Sequence, residues 1–318
     1  MPNQTVPGQS GQAPAGQSLT TAVVFSSDEA YVFLARGLVL SLLAAGFPNA
    51  DVRLVLIDIG CSPEALAWMR AHRVEIVPCD DALIPPKVMS LITPARRAQV
   101  IRPWLPQLLP QFDHFIWLDC DLWLQDGRVV NMLRSGARVY PEVVMLAPGI
   151  SHYHPAMLTE IDNILGMQRG WYRHYYQDDF AEQISKRMHY SSGVFGMRRT
   201  SGIWDLWQKE IEYLYPLVAA RDTRLIHLAE QTALNVVIFR TSLLLRLDPL
   251  FNFHCNGGGA MRTEDGRVVT NMLYPPQELG VIHLANWGLL KHRYVEMQIL
   301  YRNGDYLSHT EWAAINTP

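Results

Sequence analysis

Through its first third the chain alternates short, continuously apolar runs with amphipathic stretches. AVVFSS (22–27), VRLVLIDI (52–59) and VEIVPC (74–79) have the length and β-branched content of buried strands. Between the first two, YVFLARGLVLSLLAAG spaces its apolar residues as a helix does. Asp28 and Glu29 suit its start, and Gly46 with Pro48 its stop. SPEALAWMRAH (62–72) predicts a second helix, with Ser62 as N-cap and Pro63 at the first helical position. Strand–helix alternation of this kind predicts an α/β fold with a mostly parallel central sheet flanked by helices. TPARRAQVIRPWLPQLLP (93–110) predicts a helix broken around Pro103 and Pro106, since proline removes a donor and clashes with the preceding turn. Beyond that the order is less regular, and no internal repeat is visible.

FIWLDCDLWLQD (115–126) breaks the pattern. It reads as a buried strand, yet Asp119 and Asp121 sit inside it. A carboxylate in a dry interior loses hydration and is costly unless paired. In a strand, residues i and i+2 share a face, so the two acids converge and Cys120 turns away. Converging carboxylates repel unless a proton or a cation lies between them. A hard divalent ion, Mn²⁺ or Mg²⁺, takes oxygen ligands and supplies that compensation. Strand ends in open α/β sheets are also where ligands bind. The same string fits two solvated acids in a surface turn, helped by Gln125, Asp126 and Gly127.

Composition narrows the classes. With 318 residues and 49% hydrophobic content the chain can bury a sizeable core. A net charge of −3 gives no bulk field to favour nucleic acid. Cys61, Cys79, Cys120 and Cys255 form no CxxC pair and no zinc spacing, and suit a reducing cytoplasm. No basic-then-apolar leader opens the chain, and no apolar run nears the ~20 residues that span a bilayer. Peripheral membrane contact stays compatible with this composition. MPNQTVPGQSGQAPAGQS is too polar to offset its ordering entropy, so residues 1–19 are read as a disordered tail and 20–318 as one domain.

The acid pair keeps company. FSSDEAYVFLARGLVLSLL (25–43), RPWLPQLLP (102–110), WLDCDL (117–122), HYSSGVFGM (189–197), EQTALN (230–235), FNF (251–253) and HLANWGLLK (283–291) occur in that order. The ordered set resembles the retaining glycosyltransferases of family 8, which have a GT-A fold. The resemblance spans residues 22–291.

It implies a metal held by Asp119, Asp121 and His283, Mn²⁺ rather than Mg²⁺ because one ligand is an imidazole. It implies a nucleotide-sugar donor, a uridine diphosphate hexose, held by Ser26, Ser27, Asp28, Tyr31, Arg102, Asp119, Cys120, Ser191, Ser192, Gly288 and Lys291. Asp28 would accept from a pyrimidine N–H and Tyr31 stack on its ring, although Asp28 also suits a helix cap. Arg102, Glu230, Gln231 and Lys291 would carry the chemistry: Arg102 as a bidentate guanidinium beside the donor, Lys291 on the diphosphate, Glu230 on sugar hydroxyls, Gln231 near the anomeric carbon. The acceptor would be a saccharide, lipid-linked glycan, peptide or small molecule, with RGWYRHYY (169–176) as candidate aromatic lining. Departures are Ala30 and Ser191 for the family's asparagines, Glu230 for its aspartate, and two extra residues between His283 and Gly288. Two other functions fit parts of the pattern: a non-catalytic sugar-nucleotide-binding protein, and a metal-dependent nucleotidyltransferase. The latter lacks a Gly-rich phosphate loop after the first strand.

Overall fold

The computed structural model describes residues 19–148, 161–221, 226–254, 260–263, 267–270, 276–284, 300–302 and 305–307. The N-terminal stretch 1–18, Trp287, Gly288 and Lys291 lie outside the described residues. The three early apolar runs are strands: β1 (Thr21–Ser27), β2 (Val52–Asp58) and β3 (Val74–Pro78). β4 (His114–Leu118), β6 (Val144–Pro148), β7 (Tyr190–Arg198) and β8 (Leu244–Arg246) join them in a seven-stranded sheet, in the order β3-β2-β1-β4-β7-β6-β8. β7 runs antiparallel to β4 and β6, and every other pairing in that sheet is parallel. β5 (Leu122–Leu124), β9 (Phe253–His254) and β13 (Val281–His283) form a small second sheet, and β10 (Ala260–Arg262), β11 (Val268–Thr270) and β12 (Gln277–Glu278) a third.

Helices cover both faces of the large sheet. The longer ones are α1 (Val32–Ala44), α2 (Pro63–Ala71), α3 (Arg128–Val139), α4 (Ile161–Arg173), α5 (Asp178–Ser185), α6 (Ile203–Arg221) and α7 (Ile226–Thr241). One core layer packs α1, α2 and α3 against Val23, Phe25, Ile116 and Val194. The other packs α6 and α7 against Phe115, Trp117 and Phe195, with Trp204 and Trp207 stacked beside them. Every strand position from Thr21 to Ser27 is buried, as a strand sandwiched between helix layers requires. Ser62 Oγ accepts from Ala65 N at 3.2 Å and Pro63 opens α2, as the sequence predicts. The segment after Thr93 is a run of single turns, Pro94–Arg96, Arg97–Val100, Arg102–Trp104 and Leu105–Leu108, with Pro103 and Pro106 at the second position of the last two rather than at the breaks between them.

One expectation needs correction. Asp119 and Asp121 are not strand residues. β4 ends at Leu118, β5 begins at Leu122, and the two strands belong to different sheets. The acids occupy the turn that passes the chain from one sheet to the other. They converge because the turn folds them together, not because a strand alternates its side chains.

β5 must therefore be held in place for the turn to keep its shape. Ser41, buried in α1, donates to Leu38 O at 2.7 Å and accepts from Leu124 N at 3.2 Å. Gln125 accepts from Val268 N at 2.6 Å and donates to Val268 O at 2.7 Å, joining the end of β5 to β11. Ser41→Ala strands the Leu124 N–H in the core. It is expected to cost about 1–3 kcal/mol, read as a lower denaturant midpoint at unchanged slope.

Candidate metal and donor site

The site forms where the turn after β4, the start of β7, the start of α7 and the end of β13 meet. β13 pairs antiparallel with β5, which sets His283 opposite Leu122, and Leu284 N donates to Asp121 O at 3.0 Å. Those bonds deliver a histidine from 162 positions further along the chain to the acid pair. One ligand atom each from Asp119, Asp121 and His283 lies within 4.8 Å of the others.

The three side chains suit a divalent cation on the chemistry of their surroundings. Asn252 Oδ1 sits 2.7 Å from His283 Nδ1, so the ring proton is donated there and the Nε2 lone pair is left facing outward. Nε2 in turn faces Asp121 Oδ1 at 3.3 Å. Two electron pairs at that distance repel unless a proton or a metal lies between them. Without metal, a proton serves. Burial pushes the His283 pKa down, but the charge and hydrogen bond of Asp121, with the Asp119 charge, together leave the imidazole raised. Burial pushes Asp121 up, and the charge and hydrogen bond of His283, with a backbone hydrogen bond and Arg102, together leave it lowered. Asp119 has one oxygen committed: Oδ1 accepts from Trp117 Nε1 at 2.8 Å and from Arg102 at 2.6 Å. Oδ2 points toward Gly193, where an added Cβ would come within 2.7 Å of it and 2.8 Å of His283 Cε1. Only glycine leaves that space.

Behind the acids lies Arg102, 5% exposed on a single 3₁₀ turn. One terminal nitrogen donates to Asp119. The other donates to Glu230 Oε2 at 3.0 Å and Ser192 Oγ at 2.7 Å, while the guanidinium stacks 4.8 Å over the Trp117 ring. Burial works against the Arg102 charge, but Asp119 and Glu230 more than restore it, leaving the pKa raised. Glu230 is 2% exposed, and burial pushes it up to about 7 despite Arg102. Arg102 Nε and Glu230 Oε1 are buried with no hydrogen-bond partner among the described residues. Gln231 accepts from Ser192 N at 3.1 Å. Ser191 turns its hydroxyl to Gly193 N at 3.2 Å.

Beside the acids opens a cavity of about 380 Å³ lined by Ser26, Ser27, Asp28, Tyr31, Arg102 and the whole Asp119–Cys120–Asp121 turn. Strand alternation would hide Cys120, whereas the turn brings it to this wall. Asp28 Oδ1 accepts from Tyr31 N at 3.0 Å, so Asp28 does tie down the turn before α1 while lining the cavity. Arg96 and Gln99 complete the rim. Sequence reasoning missed Arg96, Asn252, His189 and the spatial need behind Gly193. Asn252, His189 and Gly193 act on residues far away in sequence, although Asn252 lies inside the FNF string and His189 opens HYSSGVFGM; Arg96 donates to Gln99, three positions on.

The fold matches that of known sugar transferases. Mouse xyloside xylosyltransferase 1, in its apo form, is 15% identical, covers 84% of this chain and 98% of its own, and superposes with a TM-score of 0.53. The galactosyltransferase LgtC, solved with donor and acceptor sugar analogues, is 14% identical, covers 93% of this chain and 100% of its own, with a TM-score of 0.50. No family model and no curated protein sequence matches the chain. The protein thus has the GT-A glycosyltransferase fold, an α/β architecture with a mostly parallel sheet flanked by helices.

Asn252→Ala frees the His283 ring to rotate and is expected to weaken Mn²⁺ binding about 10–100-fold with little loss of melting temperature. Gly193→Ala places a methyl group between two ligands and is expected to abolish it. Isothermal titration of the metal checks both. Wild-type affinity in Gly193→Ala would mean that the cluster does not bind metal.

Proposed function

We propose that this chain is a metal-dependent glycosyltransferase of the retaining family 8 kind, transferring a hexose from a uridine diphosphate sugar to an acceptor nucleophile. The observation that carries the reading is the meeting of the Asp119–Asp121–His283 cluster with the cavity behind Asp28 and Tyr31. The reading takes residues 20–318 as one catalytic unit. It assigns the protein to a reducing cytoplasm, in keeping with Cys61, Cys79 and Cys120, which are all free thiols. No described helix is long and apolar enough to cross a membrane.

Asp119 Oδ2, a carboxylate oxygen of Asp121 and His283 Nε2 would hold the cation, and Mn²⁺ suits that mixed oxygen–nitrogen set better than Mg²⁺. Bound there, it would supply positive charge to a leaving diphosphate. Asp28 and Tyr31 would take the base, Asp28 through the carboxylate oxygen not used by Tyr31 N. The orphan polar atoms Arg102 Nε and Glu230 Oε1 are groups that sugar hydroxyls would satisfy. Gln231 would stand beside the anomeric carbon. No side chain at the cluster is assigned as a covalent nucleophile. Return of the acceptor on the face the diphosphate leaves needs none, because the departing phosphate oxygen takes the acceptor proton. In RGWYRHYY, Tyr172 and Tyr175 are buried, which removes those two as acceptor contacts and leaves the part-buried Trp171 and Tyr176 as candidates. Gly288 and Lys291 keep their resemblance-based roles on the donor diphosphate.

The experiment has two arms. Uridine diphosphate with Mn²⁺ should raise the melting temperature well above Mn²⁺ alone, a gain of about 2.7 kcal/mol at one hundred times Kd, and guanosine diphosphate should give less. Slow Mn²⁺-dependent release of uridine diphosphate from a uridine diphosphate hexose should vanish in Asp121→Ala at near-wild-type stability. Binding without hydrolysis in the wild type would favour a non-catalytic sugar-nucleotide-binding protein. Absence of both would remove the donor assignment.

A further inference from the structure

His189, one residue before β7, is buried; it opens the HYSSGVFGM string, but nothing in the sequence assigns it a role. Its ring lies between two helices. Nε2 is 2.8 Å from Gln231 Nε2 on α7, and Nδ1 is 3.0 Å from the Tyr172 hydroxyl on α4. The edge of Trp171 approaches at 5.7 Å between ring centres. These contacts have one consistent proton arrangement. Ser192 N can only donate, so the Gln231 group facing it must be the carbonyl oxygen. The Gln231 nitrogen therefore faces the imidazole, and an amide nitrogen also only donates. His189 Nε2 must accept, the ring proton must sit on Nδ1, and Tyr172 Oη must accept it. Burial pushes the His189 pKa down to about 4, which keeps the ring neutral and able to accept at neutral pH.

We infer that His189 is a positioning residue, whose Nδ1–H tautomer locks the Gln231 carboxamide in one orientation beside Glu230 and Arg102. With one N–H tied to His189 and one lone pair tied to Ser192, the amide plane cannot turn over. Its second lone pair and second N–H keep fixed directions. Asn235 fixes the backbone from which that side chain springs, donating to the Gln231 main-chain carbonyl at 2.8 Å. A carboxamide left free would rotate to solve its own hydrogen bonding, and a misplacement on the order of 1 Å costs up to ~10²-fold in rate. The consequence for catalysis rests on the donor reading above. The tautomer does not.

The test joins nitrogen NMR of the imidazole with kinetics. In the wild type near pH 7, Nδ1 should carry the proton and Nε2 should show the shift of an accepting nitrogen. The reverse tautomer or an imidazolium would overturn the inference whatever the protein's activity. His189→Phe keeps an aromatic ring but no acceptor, whereas His189→Gln can restore an acceptor near Nε2. With Mn²⁺ and uridine diphosphate glucose or galactose, His189→Phe should lower kcat for hydrolysis about 10–100-fold at unchanged KM and metal affinity. His189→Gln should recover most of that loss. Equal losses in both variants, or none in His189→Phe, would reduce His189 to packing and overturn the inference. Should His189→Phe fail to fold, Tyr172→Phe removes the Nδ1–H acceptor instead, and an unchanged kcat there would count against the relay. A wild type that neither binds nor hydrolyses the donor would sink the functional reading while the NMR arm still decides the tautomer.

Discussion

The site depends on one buried cation. Arg102 stands between Asp119 and Glu230 with almost no solvent contact, and its two terminal nitrogens are spent on those two carboxylates and Ser192. Deleting one member of such a group leaves an uncompensated buried charge and costs about 3–5 kcal/mol. Arg102 also sets a polarity for Asp119. With Oδ1 drawn back by the guanidinium and the Trp117 N–H, only Oδ2 faces His283. The arginine thus decides which carboxylate oxygen is available to a metal. It also keeps Glu230, whose charge burial disfavours, beside the strand that carries Ser192 and Gly193.

The fold contributes by bringing distant segments to this cation. β4 delivers Asp119, β7 delivers Ser192 and Gly193, α7 delivers Glu230 and Gln231, and β13 delivers His283. β7 runs antiparallel to β4, so its start lies at the end of β4, and Asp119 N donates to Gly193 O at 2.8 Å just past the last paired residues. Ser192 serves three neighbours at once: its N–H holds Gln231 and its hydroxyl meets both Arg102 and Glu230. Small residues at this crossing let strand, helix and acid turn approach so closely.

What was legible in the sequence was what depends on local pattern. The apolar runs of β1, β2 and β3, the Ser62–Pro63 start of α2 and the absence of one long helix before β4 all follow from near neighbours. Asp119 and Asp121 were legible as a misfit, because charge inside an apolar run demands compensation. Why they converge was not, since FIWLDCDLWL hides a change of sheet that only the pairing of β5 with β13 reveals. The site's supports were hidden for the same reason. Nothing near Asn252 says that it will face His283 31 positions later, and nothing near His189 says that Tyr172 and Gln231 will close on its ring.

Electrostatics then bear on how an anionic donor would be received. Asp28, Asp119 and Asp121 line the cavity, and Arg102 is already matched by Asp119 and Glu230. A diphosphate approaching that wall would meet net repulsion, so its binding requires positive charge from elsewhere. Arg96, which also lines the cavity, differs from Arg102: it donates to the neutral Gln99 side-chain amide oxygen at 3.1 Å. Under the donor reading, the division of labour is physical. An arginine neutralised by two acids organises the ligands and the sugar end. A metal at Asp119, Asp121 and His283, with Arg96 at the rim, would balance the phosphate charge. The arginine that best matches the family pattern would then be the one least able to bind phosphate by charge, because its charge is already spent on holding the site together.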